Sequence, residues 1–292
     1  MKLLLLEPLV SGVAQGCIYG LVAMGIVLIY QARQTVSLAQ GELMVLAPWT
    51  ALVGTALLGM PYWLAAIGAI LVVAALGWLM ERLVVRPLAP HPGWMITLVT
   101  LGAALGVREL ATGLTSGELP NTMLESPYPQ AQWALAGLPV HTAHVAAIVA
   151  TALVCSALYG LFRFSKLGFG LQATLRNRMA AHHMGLPVRQ LESVAWVLAA
   201  VLAAIAGLLL ATWTSVDANM ALTGIKALPA AMLAGFMGLR SAMLGGIALG
   251  LIEAFANMAL PQAWHHSTAF AIALVIWVIQ RSHAHEPITP SY

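Results

Sequence analysis

Long apolar runs, separated by short polar interruptions, fill this chain from its first residues almost to its end. A helix needs about 20 consecutive apolar residues to cross a bilayer, and its backbone must satisfy its own hydrogen bonds there. The pattern therefore predicts an all-α, polytopic integral membrane helical bundle with about eight membrane segments, some of them broken or re-entrant. Turn residues and charges place these segments at 8–30, 37–60, 62–80, 94–114, 143–162, 191–212, 224–239 and 242–280, the last of which Pro261 divides in two.

The composition is that of a membrane protein. Hydrophobic residues make up 61% of the 292 residues, charged residues make up 8%, and the mean hydropathy is +0.88. A soluble domain is about half apolar and about a quarter charged. We predict a transmembrane domain over 1–280 and a short, disordered cytoplasmic tail at 281–292. The Lys and Arg residues are too scattered to form a phosphate-tracking groove, which excludes nucleic acid as a partner.

The orientation is predicted from the one long polar and basic stretch, residues 163–190. Cytoplasmic loops of membrane proteins carry an excess of Lys and Arg. With this stretch in the cytoplasm, alternation of the segments places the N-terminus outside and the C-terminus inside, in a multi-pass protein of the cell inner membrane. The cations that then lie inside are Arg33, Arg82, Arg86, Arg163, Lys166, Arg176, Arg178, Arg189, Arg240 and Arg281.

A short amphipathic helix is predicted inside this stretch, between Arg176 and Gly185. Gly185, followed by Pro187, is expected to end it. Two interpretations are open: the helix docks into a groove of a partner protein, or it lies flat among the lipid headgroups. The adjacent small residues Ala180 and Ala181 favour docking.

Gly12, Gly16 and Gly20 recur every four residues in the first segment. This spacing lets the backbone of another helix approach closely, and it predicts a tightly packed first helix. The glycines at 102 and 106 and at 246 and 250 repeat the spacing. We therefore expect several close helix contacts rather than one special seam.

Segment 37–60 begins with unusually polar residues for a membrane helix, Ser37, Gln40, Gly41 and Glu42. Either Glu42 extends to the headgroups, or the helix is broken or re-entrant and its start lines a cavity, as in many transporters. The second interpretation predicts a substrate path lined by these four residues as hydrogen-bonding groups. Further charged residues inside segments pose the same alternatives: Arg108, Glu109 and Glu253.

Common catalytic and metal-binding motifs are absent from the sequence. It has no Gly-x-x-x-x-Gly-Lys-Ser/Thr phosphate loop, no His-Glu-x-x-His zinc helix and no Gly-x-Ser-x-Gly nucleophile elbow. The histidine pairs at 182–183 and 265–266 are adjacent, so their rings diverge on a helix and do not readily share one metal. We predict no enzyme activity, no catalytic residue, no metal site and no cofactor bound by this chain.

Five blocks of the sequence resemble the permease subunits of branched-chain amino acid ABC importers, the LivH/LivM type. In that family the block around residues 167–186 is the coupling segment, which docks into a cytoplasmic ATPase. The blocks follow the family's order: 20–30 (GLVAMGIVLIY), 37–42 (SLAQGE), 81–88 (ERLVVRPL), 167–186 (with RNRMAA at 176–181) and 224–254 (with GIKA at 224–227).

The resemblance implies a permease subunit of an ABC importer that moves branched-chain or other neutral amino acids by alternating access. Its implied partners are a second permease, two cytoplasmic ATPase subunits that hydrolyse ATP, a periplasmic or extracellular substrate-binding protein, and membrane lipid. The ATPase-coupling residues that the resemblance implies are Arg176, Asn177, Arg178, Met179, Ala180, Ala181 and Gly185.

The sequence departs from the family pattern at two functional places. Ser37, Leu38 and Gln40 stand in the block where the family usually reads Asn-Phe-Ala-His-Gly-Glu, and Arg178-Met179 stands where it reads Pro-Glu. The first difference leaves urea or a short amide open as the substrate, and the second predicts an altered ATPase contact. An ion-coupled carrier or channel that acts without an ATPase, and an intramembrane enzyme, are the rival functions.

Overall fold

The computed structural model describes residues 2–113, 122–128, 132–135, 138–217, 219–236, 238–259, 267–271, 274–275 and 278. The tail predicted at 281–292 lies outside the described residues. The elements are α1 (Lys2–Arg33), α2 (Ala39–Leu58), α3 (Tyr62–Met80), a π-helical turn (Glu81–Val85), α4 (Gly93–Gly113), β1 (Gln132–Leu135), β2 (Leu138–His141), α5 (Thr142–Phe164), α6 (Lys166–Arg176), α7 (Arg178–His183), α8 (Val188–Leu210), α9 (Asn219–Ile225), α10 (Ala227–Leu233) and α11 (Leu239–Ala259).

Seven of the described helices are long and apolar enough to cross a membrane: α1, α2, α3 with its π-helical turn, α4, α5, α8 and α11. They correspond to the first six predicted segments and to the first part of 242–280. The predicted polytopic helical membrane bundle is therefore confirmed. Between α4 and α5, the structure has a short antiparallel hairpin, in which Trp133 pairs with Val140.

α1 is the central helix of the bundle, and 89% of its 18-residue apolar stretch is buried inside the protein. α11 and α8 make its most extensive contacts, and α2 and α3 pack in turn against α8. α5 lies at the periphery and exposes apolar side chains such as Val149 and Leu153, as a lipid-facing helix does.

Glycines bring the backbones of α1 and α11 together. A Cβ atom on Gly12 would lie 3.1 Å from the carbonyl oxygen of Gly250, and one on Gly16 would lie 2.9 Å from that of Gly246. Gly246 also lies against the backbone of Gly20. The glycine runs of α1 and α11 are thus the two sides of one seam, whereas the glycines at 102 and 106 have open space beside them.

The segment predicted at 224–239 is broken and is not one continuous membrane-spanning helix. The structure has two seven-residue helices in this region, α9 and α10, with Lys226 in the turn between them. Each is much shorter than the roughly 20 residues that a span needs. Pro229 lies in the first turn of α10, where its missing N–H removes no helical hydrogen bond. It therefore favours a new helix that begins at Ala227 over continuation of α9.

Candidate functional site

The predicted substrate-path residues lie at the start of α2, which is a continuous helix without the break that its polar start suggested. Residues 34–38, which precede it, are not helical and pack against α4. The Thr97 hydroxyl donates to the Val36 carbonyl oxygen over 2.6 Å, and the hydroxyl oxygens of Ser37 and Thr100 are 3.5 Å apart. Side chains of α4 thus satisfy polar groups of this irregular backbone inside the bundle.

Gln40 and Gly41 face different helices. The Gln40 amide is buried between α1 and α8, where a Cβ atom on Gly25 would lie 3.2 Å from its Oε1. Neither polar atom of this amide has a hydrogen-bond partner in the described part of the chain. On the other side, a Cβ atom on Gly41 would lie 2.7 Å from the Ala221 carbonyl oxygen in α9. An unpaired buried amide lowers stability, so the Gln40 side chain is costly to the fold where it lies.

Glu42 forms an ion pair with α4. Its Oε2 lies 2.9 Å from Nη1 of Arg108, whose Nη2 lies 3.2 Å from Oε1 of Glu109. The Glu42 side chain is 5% exposed, whereas that of Glu109 is 69% exposed. Glu42 is therefore neutralised inside the bundle and does not extend to the headgroups. Through this pair Arg108 joins α4 to α2.

A second charged cluster lies at the turn between α9 and α10. Lys226 Nζ is 2.6 Å from Oε1 of Glu253 in α11, and the Tyr19 hydroxyl in α1 donates to Oε2 of the same carboxylate. All three side chains are buried. A buried ion pair is tolerated when further hydrogen bonds satisfy its atoms, and here each oxygen of Glu253 has a partner. Glu253 thus forms hydrogen bonds inside the bundle.

This cluster lines a cavity of about 600 Å³ between α1, α5, α9 and α11. Small-molecule sites typically enclose about 300–1,000 Å³. Among the described lining residues, Lys226 and Glu253 are the charged ones, so the cavity is neutral overall. Its other lining residues include the polar Ser11, Gln15, His144, Thr223 and Asn257 and the less polar Trp213, Ala254 and Met258.

α9 separates this cavity from the start of α2. Thr223 lines the cavity, whereas the next residue, Gly224, packs against the backbone of Gly41. The structure therefore places the predicted path residues and the cavity on two sides of one short helix.

Lys226 is the site residue that the sequence prediction left out. Lysine and glutamate are each costly inside a membrane unless they are paired, so Lys226 in one apolar segment and Glu253 in the next were a usable signal for an ion pair. The cavity itself had no sequence signal, because its walls come from four helices that are far apart in the chain.

At the opposite end of the bundle, ion pairs tie three helix ends together. Arg33 of α1 lies 2.9 Å from Glu192 of α8 and 3.4 Å from Glu81 of the π-helical turn. Arg86 lies 3.1 Å from the second oxygen of Glu81, to which the Ser193 hydroxyl donates over 2.8 Å. The ends of α1, α3 and α8 are thus held in one polar cluster.

α6 and α7 form an elbow between α5 and α8 at this same end. The Ser165 hydroxyl caps α6 by accepting a hydrogen bond from the Gly168 N–H, and the Asn177 side chain caps α7 by accepting one from the Ala180 N–H. Gly185 follows α7 with a φ of +78°, in the left-handed region that favours glycine. The predicted short helix is therefore present as α7, and it ends before Gly185 as expected.

α7 exposes an apolar surface with basic neighbours. Met179 and Met184 are 74% and 75% exposed, and such flexible, polarisable side chains suit an adaptable protein contact. Ala181, at 1% exposure, is buried and packs against the rest of the chain on the inner side of α7. The Arg178 side chain lies outside the described part of the structure. The exposed members of the predicted coupling set are Arg176, Asn177, Met179, Ala180 and Gly185.

The sequence comparisons explain this combination of a helical bundle, charged interior clusters and an exposed elbow. Residues 9–279 match the family described as "Branched-chain amino acid transport system / permease component". This chain belongs to that permease family. LivH of Salmonella typhimurium, a high-affinity branched-chain amino acid transport system permease protein, is 26% identical over 289 residues, with 94% of this chain and 93% of LivH covered.

A second relative with the same description, BraD of Pseudomonas aeruginosa, is 26% identical over 284 residues, with 93% of this chain and 92% of BraD covered. Among solved structures, "PsaBC from Streptococcus pneumoniae in complex with Fab" is similar, with a TM-score of 0.51 and 15% identity. That alignment covers 92% of this chain and 89% of the PsaBC chain, and it shows a shared fold.

The family resemblance and the permease function expected from it are thus confirmed. The chain is a multi-pass permease subunit of an ABC importer in the inner membrane. Permeases of this family assemble with another permease and with ATPase subunits, so the chain is a transport subunit and not an enzyme in the usual sense.

Proposed function

We propose that this permease imports a neutral amino acid, of the branched-chain class, into the cytoplasm. The observation that carries the proposal is the cavity at the α9–α10 turn, where one buried cation, Lys226, faces one buried anion, Glu253. A zwitterionic amino acid also carries one cation and one anion. Its carboxylate can pair with the lysine and its ammonium group with the glutamate, so binding leaves no charge unpaired. LivH and BraD, the relatives described above, are permeases of branched-chain amino acid transport systems, which supports the branched-chain class.

The less polar part of the cavity favours an aliphatic side chain. Trp213, Ala254 and Met258 line it, and burying a branched side chain against them removes apolar surface from water. A substrate with a charged side chain would bring a third charge, and no further charged lining residue in the described cavity would balance it. Urea would fill the polar part and leave the apolar wall without a contact.

We assign the inner part of the path to the start of α2, where Ser37, Gln40, Gly41 and Glu42 lie. The unpaired amide of Gln40 supports this assignment, since a passing polar group would satisfy it. α9 separates the cavity from these residues, so a shift of this short helix would connect them. Discontinuous helices beside a binding site are a recurrent feature of transporters.

We propose that this chain binds no cofactor and that partner subunits supply the driving force for transport. Two cytoplasmic ATPases would hydrolyse ATP and contact the elbow, and a substrate-binding protein would deliver the amino acid to the outer face. This arrangement requires an N-terminus outside and a C-terminus in the cytoplasm. The proposed contact residues are Arg176, Asn177, Arg178, Met179, Ala180, Ala181 and Gly185.

The test is uptake of labelled leucine by proteoliposomes that contain the complete transporter, with ATP supplied on the ATPase side. We expect ATP-dependent uptake of leucine. Excess valine and isoleucine should inhibit it by competition, whereas urea and acetamide should not. Uptake of urea in place of leucine would overturn the substrate class. Leucine uptake that persists without ATP and stops when the ion gradient is collapsed would favour the ion-coupled carrier.

Variants of the complete transporter test the assignment of the binding site independently of the assignment of the substrate class. Lys226→Met and Glu253→Gln should each raise the KM for leucine by at least tenfold, because one charge of the substrate loses its partner. Glu109→Gln is the matched control, since this carboxylate is 69% exposed and lies outside the cavity, and it should leave the KM unchanged. Normal leucine transport by both cavity variants would overturn the assignment of the site and leave the substrate class intact.

A further inference from the structure

A larger cavity, of about 850 Å³, lies at the end of the bundle that carries the elbow, between α5, α6 and α11, with α1 as its floor. The orientation proposed above places this end in the cytoplasm. Two of its wall residues are open to the outside: Tyr159 of α5 is 51% exposed and Leu244 of α11 is 67% exposed. Because both helices are long and apolar enough to span a membrane, an opening between them can face lipid. Its apolar lining residues include Met24, Leu158, Phe162, Leu175, Met243 and Leu244.

Three arginines line the same cavity from three helix ends. Arg163 lies near the end of α5, Arg176 is the last residue of α6, and Arg240 lies at the start of α11. Within the described part of the chain, none of them has a carboxylate oxygen within 4.0 Å. The Arg240 guanidinium stacks on the Tyr159 ring, 5.2 Å from its centroid, which holds it beside the cavity.

The nearby acidic residues are already engaged. At this end of the described structure, Glu192 pairs with Arg33, and Glu81 pairs with both Arg33 and Arg86. The three cavity arginines therefore have no described internal anion to neutralise them. All three are exposed, so an anion from outside the chain can reach them.

We propose that this cavity binds an anionic phospholipid of the cytoplasmic leaflet. The three guanidinium groups would hold its phosphate, to which arginine is well suited by its planar array of donors. One acyl chain would lie in the apolar groove over α1. Basic pockets between membrane helices on the cytoplasmic side are known to bind anionic headgroups. Inorganic phosphate, or a carboxylate of an ATPase, would use the arginines and leave the apolar groove without an occupant.

The position of this lipid site gives it a role in coupling. Arg176 immediately precedes Asn177, the residue that caps α7. A phosphate held by Arg163, Arg176 and Arg240 would therefore link α5, the elbow and α11. The bound lipid would fix the position of the elbow relative to the bundle.

The experiment measures lipid retention by native mass spectrometry of the complete transporter after detergent delipidation. The probes are phosphatidylglycerol and phosphatidylcholine with identical acyl chains. We expect tighter binding of phosphatidylglycerol. The double variant Arg163→Gln/Arg240→Gln should weaken it about 25-fold, since each basic residue near an anionic lipid contributes about fivefold. Phosphatidylcholine binding should not change, and Arg163→Lys/Arg240→Lys should restore most of the phosphatidylglycerol binding.

Arg82→Gln is the matched control. Arg82 lies at the same end of the bundle and stacks on Trp78, 5.0 Å from the ring centroid, but it does not line the cavity. Its variant should bind phosphatidylglycerol like the wild type. Melting temperatures equal to that of the wild type would show that the variants are folded.

Four results would overturn the proposal. Equal retention of the two lipids would remove the anionic preference, and an equal loss in Arg82→Gln would reduce it to general surface charge. Displacement of phosphatidylglycerol by millimolar inorganic phosphate would assign the site to free phosphate. Loss of the ATPase subunits from Arg163→Gln/Arg240→Gln with normal lipid binding would assign the arginines to the ATPase contact.

Discussion

Lys226 Nζ lies 2.6 Å from Glu253 Oε1, and this ion pair joins the turn between α9 and α10 to the middle of α11. Removing one partner leaves the other as an uncompensated buried charge. We expect Lys226→Met or Glu253→Gln to destabilise the permease by about 3–5 kcal/mol, whereas the double variant should lose much less. Thermal unfolding of the four proteins in detergent measures the coupling. Additive losses in the double variant would show that the two charges do not interact.

The hydroxyl of Tyr19 completes this cluster by donating to Glu253. Tyr19→Phe keeps the ring in its buried place and removes this hydrogen bond. A hydrogen bond to a charged group contributes about 1.5–3 kcal/mol, so we expect a loss of that size. Tyr159→Phe is the control, because Tyr159 is half exposed and its ring, rather than its hydroxyl, contacts Arg240. An equal melting temperature for Tyr19→Phe and the wild type would contradict the assigned hydrogen bond.

The seam between α1 and α11 predicts a strong difference between two glycines. A Cβ atom on Gly16 would lie 2.7 Å from the Cα atom of Ile247, which is backbone and cannot move aside. Gly16→Ala should therefore destabilise the protein by about 1–3 kcal/mol through overpacking. Gly68→Ala in α3 is the control, since a Cβ atom there meets nothing within 4 Å. Similar melting temperatures for the two variants would rule out the close approach of the two backbones.

The capping residue of α7 allows a test of coupling that leaves the substrate path unchanged. Asn177→Ala removes the side chain that accepts from the Ala180 N–H, which should cost about 1 kcal/mol of local helix stability. We expect lower ATP-driven uptake at saturating substrate and an unchanged KM. Asn177→Asp retains a capping oxygen and should recover most of the rate. A rise in KM with a normal maximal rate would instead place Asn177 in the substrate path.

The ion pair between α2 and α4 predicts that two neighbouring residues behave differently. Arg108→Met leaves the buried Glu42 carboxylate without its partner, and we expect a loss of about 1–3 kcal/mol. Glu109→Gln changes an exposed group and should stay within about 0.5 kcal/mol of the wild type. Thermal unfolding distinguishes them, and a destabilised Glu109→Gln would show that the exposed carboxylate also supports the pair.

Local sequence signals predicted the long helices and the elbow well. Apolar length was sufficient for α1 to α5, α8 and α11, and Gly185 marked the end of α7 because its left-handed conformation favours glycine. The same signals failed at α9 and α10. Mean hydropathy there is that of a membrane segment, and Pro229 in the first turn of α10 marked the break that apolar length alone did not show. The ion-pair partner of Lys226 at that break, Glu253, is 27 residues further along the chain.

The candidate site was harder to predict than the fold. The polar residues at the start of α2 stood out because they interrupt an apolar pattern. Among them, Gln40 is buried and its amide has no hydrogen-bond partner within the described residues. The pairing of Glu42 with Arg108 bridges 66 residues, so neither residue's surroundings could be read from its neighbours in the sequence. The prediction from the glycines was limited in the same way. Their spacing predicted close packing, but it did not show that α1 and α11 are the two helices that pack on each other.

The polar cluster of Arg33, Glu81, Arg86 and Glu192 has a mechanical consequence. It joins α1, α3 and α8 at the end where α7 adjoins α8, so a displacement of α7 would act on three linked helices rather than on α8 alone. The non-helical residues 34–38 and the turn at Lys226 interrupt the helices outside this cluster, and they border the start of α2 and the cavity.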